Sequence, residues 1–297
     1  MKLVRPVTIT DSILISSSIA EGDAAEWSSG TTYSIGDLVI SLSTHRVYES
    51  LVSSNIGNDP ITDDGTKWLD RGATNRWKMF DGGYSTQSED TTSISISLYP
   101  GRVNSVGIMN IEASSILIEY IVDGVTEYSI SSALVEQNAN NWYEYFYAPI
   151  ERDSEFVITD LSPIASDGYL NITLSAAVGS TVKVGLIVPG FFEQIGTTLW
   201  GVNSGIEDYS LKSVDDFGNY TIVERKFSRT MSADIYIDNE RTGYIYNLLS
   251  KYRATPALWI GNEDYNTTIS YGFIDSFKIV LATPAGSQCS LEIEGLS

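Results

Sequence analysis

The chain has 297 residues, about twice the usual domain length of roughly 150, so two domains are expected and three small ones would fit. Eighteen Lys and Arg against 38 Asp and Glu leave a net charge of −20, which opposes a phosphate backbone or an anionic membrane face and removes nucleic acid as a partner. One cysteine, Cys289, and one histidine, His45, exclude an internal disulfide framework, cysteine zinc sites and the multi-histidine centres of most catalytic zinc enzymes.

Hydrophobic residues make up 42% of the chain, enough apolar surface to offset the entropy of ordering it. The first residues, MKLVRPVTITDSILISSS, lack a basic stretch followed by a long apolar one, and no apolar run nears the roughly 18 residues of a membrane helix. A soluble protein made in a cytoplasm, with no membrane insertion, is the expectation.

Residues 1–20 read as an N-terminal arm, with a strand from Leu3 to Ile9 and an apolar stretch from Ile13 to Ile19. Residues 21–72 form a small module: three strands rich in aromatic residues, then a polar Asn/Asp/Gly loop from Asn55 to Gly65, then Trp68. Such a unit is below about 60 residues, so its core is marginal alone and it should lean on a neighbour.

From 73 to 190 the pattern is strict alternation. Ile94, Ile96 and Leu98 point one way and Ser93, Ser95 and Ser97 the other, the period of a strand with one wet face. Further strands are expected at Val103–Ile108, Ser115–Val122, Phe156–Thr159, Leu170–Ala176 and Val182–Val188, separated by turns such as Asp123-Gly124 and Gly179-Ser180. Short strands bounded by turns predict an antiparallel β-sandwich. Residues 191–297 read as a β-rich α+β domain. Ala233, Ile235 and Ile237 alternate in a strand, and Ile245, Leu248, Leu249 and Tyr252 then recur at helical spacing. Asp238 or Asn239 is placed to cap that helix, and Pro256 stops it. Strands follow at Ala257–Ile260, Tyr271–Leu281 and Ser290–Ile293. The fold class is therefore mainly β.

Sugar sites need flat aromatic faces, and Trp27, Tyr33, Tyr48 and Trp68 are candidates for carbohydrate binding; filling the module's core is the other role open to them. With Gly36-Asp37, Val39, Asn58 and Pro60, their spacing resembles the small carbohydrate-binding module attached to many chitinases and cellulases. The match departs after the second Tyr, where those modules commonly expose aromatics and this chain has Glu49, Ser50, Leu51 and Val52.

The phrase Thr74-Asn75-Arg76-Trp77-Lys78-Met79-Phe80-Asp81 follows directly. A terminal strand, a Trp/Tyr module, this phrase and then strands with Ser and Thr on one face together resemble a family of tailed-bacteriophage virion proteins. The resemblance covers residues 1 to 200. It implies that the phrase links the module to a galactose-binding-like, jelly-roll type of sandwich. It also implies a structural component of the tail, baseplate or collar that is not an enzyme and is partnered by other tail proteins and copies of itself. On that reading residues 190–297 attach to the tail core and the module projects outward. A carbohydrate-binding adhesin contacting a host surface glycan is the alternative.

By their own chemistry, Trp77, Met79 and Phe80 anchor the linker as an inter-domain clasp, while Arg76 and Asp81 pair or fix turns. No metal or cofactor is implied. Asp59, Asp63, Asp64, Asp160 and Asp167 lack the alternating spacing that surrounds a calcium ion and read as turn residues. His45 reads as a surface or rim histidine, Cys289 as a packed thiol, and Asp216-Phe217-Gly218 as a turn. A glycan-cleaving enzyme would need a carboxylate pair in a groove, and no pair is singled out.

Overall fold

The computed structural model describes residues 1–134, 141–147, 152–162, 167–214, 217–263 and 265–296. The N-terminal stretch supplies β1 (Lys2–Pro6) and β2 (Leu14–Ser17), and the module supplies β3 (Ala25–Glu26), β4 (Leu38–Ser41), β5 (Arg46–Ser50) and β6 (Trp68–Ala73). The middle region supplies β7 (Ser88–Thr91), β8 (Ser93–Leu98), β9 (Ser105–Glu112), β10 (Ser115–Val122), β11 (Val125–Ala133), α1 (Trp142–Tyr147), β12 (Glu155–Ile158), β13 (Tyr169–Ser175) and β14 (Thr181–Gln194). The last region supplies β15 (Thr197–Thr198), β16 (Asn203–Asp208), β17 (Leu211–Val214), β18 (Tyr220–Val223), β19 (Phe227–Asp238), α2 (Thr242–Lys251), β20 (Ala257–Ile260), β21 (Ile269–Val280) and β22 (Gly286–Gly295).

The sandwich is real. A five-stranded antiparallel sheet, β11-β10-β13-β8-β2, covers one part of a long sheet containing β12, β9, β14 and β7. Alternation decides which side chains meet: Ile94, Ile96 and Leu98 on β8, Ile116 and Ile118 on β10 and Leu170 and Ile172 on β13 face Val106, Ile108, Val182 and Val184. The Ser rows face outward, as the period of two requires.

Where the alternation breaks, a backbone feature explains it. Ile111 and Ile108 on β9 both face the sandwich core, but Met109 faces the opposite side of the sheet. The phase slips at Asn110, whose φ of 55° is left-handed. Gly185 lies across from it, and a Cβ there would sit 2.8 Å from the Tyr84 carbonyl oxygen. Asn110 answers the strain with its own amide, which donates to that same carbonyl at 2.7 Å.

The boundary at 190/191 is a correction to the sequence reading. It falls inside β14, whose first part pairs with β7 and β9 and whose second part pairs with β1 from Lys2↔Gln194 to Pro6↔Gly190. The far edge of β1 pairs with β20 of the C-terminal region, from Lys2↔Ile260 to Val4↔Leu258. The long sheet therefore runs β12-β9-β14-β1-β20-β21-β22-β19-β15 across both regions. The N-terminal arm is likewise not an arm: β1 is a central strand of this sheet, and β2 is the edge of the other. Hydrophobic period identifies a strand and is silent about its partners, which here lie far away in sequence.

Leu3 and Val4 are both fully buried on opposite faces of β1. Leu3 joins the core under α2 with Ile235, Ile245, Leu249, Trp259 and Leu291. Val4 joins a separate core with Met109, Leu186, Leu258 and Tyr271. The sheet curls over that second core until Glu155 of β12 forms an ion pair with Arg229 of β19, near opposite ends of the strand order. Burial pushes the Glu155 carboxyl up, against the pull of Arg229.

Helix α2 presents Ile245, Leu248 and Leu249 to the sheet, as the spacing requires. The expected cap is absent. A 3-10 turn, Asn239–Arg241, precedes the helix, and Asp238 makes no capping bond. Asn239 instead donates to the Thr283 carbonyl at 2.8 Å and accepts from the Ser287 hydroxyl, binding the turn to the strand connection beneath it.

Candidate functional site

The module contains four strands rather than three, because Ala25–Glu26 adds a short parallel pairing onto β4. Tyr33, Val39, Tyr48 and Trp68 form its core, with Trp27 packed half-buried against them. Tyr33 meets Trp68 edge to face at a centroid distance of 5.3 Å. Two polar tips are answered internally: Trp68 Nε1 donates to the Asn58 carbonyl at 2.9 Å, and the Tyr33 hydroxyl accepts from Ser28 N–H at 2.8 Å, whereas Trp27 Nε1 is buried without a hydrogen-bond partner. Trp68 is only 2% exposed, so these rings do not make a wet, coplanar platform. Ile35, Leu51, Ile56 and Ile61 of the module are exposed.

Asp63 organises the loop that delivers Trp68. Its Oδ2 accepts the backbone N–H groups of Gly65, Lys67 and Trp68 at 2.9, 3.0 and 3.0 Å. Desolvation pushes its carboxyl up, but the N–H donors together outweigh it and hold the pKa below the usual value. The folded value therefore lies below the unfolded one, so the stabilisation is in place above the ordinary carboxylate range and is lost as pH falls through the folded value. Asp63→Asn is expected to loosen the loop at neutral pH and to flatten its acid sensitivity. Hydrogen exchange at the Trp68 amide checks this; the same acid profile in both proteins would contradict it.

Residues 74–81 connect the last strand of the module to β7 of the sandwich. A 3-10 turn, Lys78–Phe80, buries Met79 completely, and Met79 N–H donates to Ser88 Oγ at 3.0 Å. Trp77 is buried and meets Phe80 edge to face at 5.9 Å. Asp81 turns the chain by accepting from Gly83 N–H at 2.7 Å and from the Thr86 hydroxyl, while Arg76 lies half-buried with its Nε unpartnered. Of the two roles open to Arg76 and Asp81, pairing or fixing turns, Asp81 takes the second.

The module's side of this junction is His45, a half-buried histidine at the module's rim. Its ring stacks on Trp77 at 4.0 Å and 18°, with Nδ1 3.1 Å from Glu21 and Nε2 3.1 Å from Asp11. Thr74 donates to Glu21 at 2.9 Å, and Asn75 N–H to Asp23 at 3.1 Å. Asn75 also exchanges two bonds with the Glu89 backbone in β7. The module is thus held to the sandwich by a stacked pair and a ring of carboxylates. Only Trp77 was legible as part of it, because the acids occupy ordinary turn positions in the sequence.

Exposed apolar groups collect elsewhere. Helix α1 displays Trp142, Tyr143, Phe146 and Tyr147 to solvent. Strands β16 to β19 rise as one two-stranded ribbon: β16 pairs with β19 as far as Asp208↔Phe227, and β17 continues with β18 from Leu211↔Val223 to Val214↔Tyr220. Its turn includes Phe217 and Gly218, with φ 84° at the glycine, as expected; Asp216 lies outside the described residues. Trp200 is 93% exposed beside a cleft of about 560 Å³ that Lys2, Gln194, Asn262, Glu263 and Tyr265 help to line.

Among the described residues no three His, Cys, Asp or Glu are grouped to hold a metal, and no helix is long and apolar enough to cross a membrane. Cys289 is buried, and burial pushes its thiol up to about 11. No family model matches the sequence, and neither a curated protein nor a solved structure is similar to it.

Proposed function

We propose that the chain is a structural component of a tailed-phage virion, a tail, baseplate or collar element that works by occupying a place in an oligomeric assembly and performs no catalysis. One observation carries this reading. Exposed apolar side chains gather on β16 to β18 and on α1, while Tyr33, Tyr48 and Trp68 are packed in the module's core with Trp27 half-buried against them. Clustered exposed apolar groups mark contact with other proteins. Its partners are other tail proteins and further copies of itself, and the net charge of −20 keeps unassembled copies apart. The mass-spectrometric inventory of purified particles, with labelling of the protein on them, is the test. Absence from the particle, or turnover of a polysaccharide by the purified chain, overturns the reading.

A second reading, recognition of a host glycan, is supported at Trp200 rather than at the module. There an exposed indole face stands beside a cleft with amide, carboxylate and ammonium groups at hand. Binding on a bacterial glycan array that disappears in Trp200→Ala supports it; an array without signal removes it.

A further inference from the structure

Where the curled sheet brings β12 toward β16 and β19, it leaves a cleft of about 420 Å³ walled by those strands and by the segment from Asn266 to Ser270. That volume lies within the roughly 300–1,000 Å³ of small-molecule sites. Two polar side chains that line it are buried without being satisfied. Ser270 is 3% exposed, and its Oγ has no hydrogen-bond partner. Glu155 is 4% exposed; its Oε1 takes both bonds offered, from Arg229 and from the Tyr84 hydroxyl, and Oε2 takes none. A buried polar atom left this way forgoes the bond it had in water, so folded chains hold few of them. Two on one cleft point to a guest that supplies the bonds.

The lining also says which guest. Its charges balance, Arg152 and Arg229 against Asp153 and Glu155, and each is already engaged. Arg229 pairs with Glu155, Arg152 donates to the Ala113 carbonyl at 3.3 Å, and Asp153 accepts from the Asn266 amide at 3.2 Å. An ionic ligand would find no uncommitted opposite charge. What stays open is a carboxylate oxygen that accepts and a hydroxyl that both donates and accepts. Hydroxyls of a neutral sugar match both, one giving its hydrogen to Glu155 Oε2 and another bonding Ser270 Oγ. Ile206, exposed on the same cleft, offers apolar surface to the C–H bonds of the ring.

The rim is fixed before any ligand arrives. Ser204 Oγ donates to the Thr267 carbonyl at 2.6 Å, tying β16 to the Asn266–Ser270 segment, and the Asn266–Asp153 bond ties that segment to the chain entering β12. A wall already ordered lowers the entropy lost on binding. Thr267 also lines the larger cleft beside Trp200, so the two clefts adjoin.

We propose that this cleft binds a neutral sugar residue, with Glu155 and Ser270 as its polar contacts. This rests on the glycan reading at Trp200 and gives it a second subsite: a chain lying on the exposed indole passes over Thr267 and places one residue in the cleft.

Saturation-transfer NMR and amide-shift mapping on the full chain test it, with glucose, galactose, mannose and N-acetylglucosamine at millimolar concentration, and L-arginine as a charged control. At least one sugar is expected to bind and to move the amides of Gly205, Thr267 and Ser270. Ser270→Ala is expected to weaken that binding about tenfold while the melting temperature stays the same or rises, because the variant removes a buried hydroxyl that has no partner. A serine with a purely structural role would lose stability instead. No binding by any of the four sugars, binding of L-arginine in their place, or a Ser270→Ala protein that binds as the wild type does overturns the proposal. Sugar binding that is lost in Trp200→Ala and kept in Ser270→Ala overturns this subsite and leaves the reading at Trp200 standing; the reverse pattern removes Trp200 and keeps the cleft.

Discussion

Val4→Asp unfolds both halves of the molecule together. Val4 is fully buried in a core shared by Met109, Leu186 and Val188 from one region and Leu258, Ile260 and Ile269 from the other. A carboxylate there has no cation to pair with inside that cluster, and the core is closed to water. The cost is expected to exceed about 4 kcal/mol, a large share of the roughly 5–15 kcal/mol that holds a typical domain. The informative measurement is where protection is lost. β1 lies between β14 and β20 in one sheet, so hydrogen exchange should accelerate in β9 and in β21 with the same denaturant dependence. Loss confined to residues 191–297 would mean that the regions fold independently and that the continuous sheet is energetically two.

Trp77→Ala releases the module. The ring is buried, meets Phe80 in the linker and stacks on His45 of the module, so truncation opens a cavity and removes the stack together. The expected loss is about 3–5 kcal/mol, the range for a large buried aromatic cut to alanine. It should register as a lower melting temperature and as new proteolytic cleavage near residues 71–76. His45→Ala separates the two contributions: it removes the stack and the links to Glu21 and Asp11 but leaves Trp77 seated, and a loss of about 1 kcal/mol is expected. If Trp77→Ala leaves the linker as resistant to protease as before, the clasp is not what fixes the module.

Much of the fold was legible because its driving force is local. The alternation of Ile94, Ile96 and Leu98 with serines places β8, the strand expected at Ser115–Val122 is β10, and the helical recurrence of Ile245, Leu248 and Leu249 is α2. What was not legible is pairing between distant segments. Nothing in KLVRP distinguishes a terminal arm from a central strand, since both are short and apolar, and the 14 residues of β14 read as one strand followed by a boundary. The aromatic quartet of the module shows the same limit at the level of a site. Tyr33, Tyr48 and Trp68 have the spacing of a sugar platform and of a core alike, and only their inward direction separates the two. His45 reads from the sequence as a surface or rim residue, and its stacking on Trp77 and its links to the acids at positions 11 and 21 depend on contacts between distant segments that spacing does not show. Leu211, Val214, Tyr220 and Ile222 flank a turn in the sequence, and among the described residues no third strand pairs with the two that carry them.

The passage of β14 and β1 across both regions has a mechanical consequence. Antiparallel neighbours are bonded along their whole registers, from Pro6↔Gly190 to Lys2↔Gln194 on one side and from Val4↔Leu258 to Lys2↔Ile260 on the other. Tension along β1 is therefore shared by the bonds of both registers, which are sheared together, so load entering one region passes directly into the other.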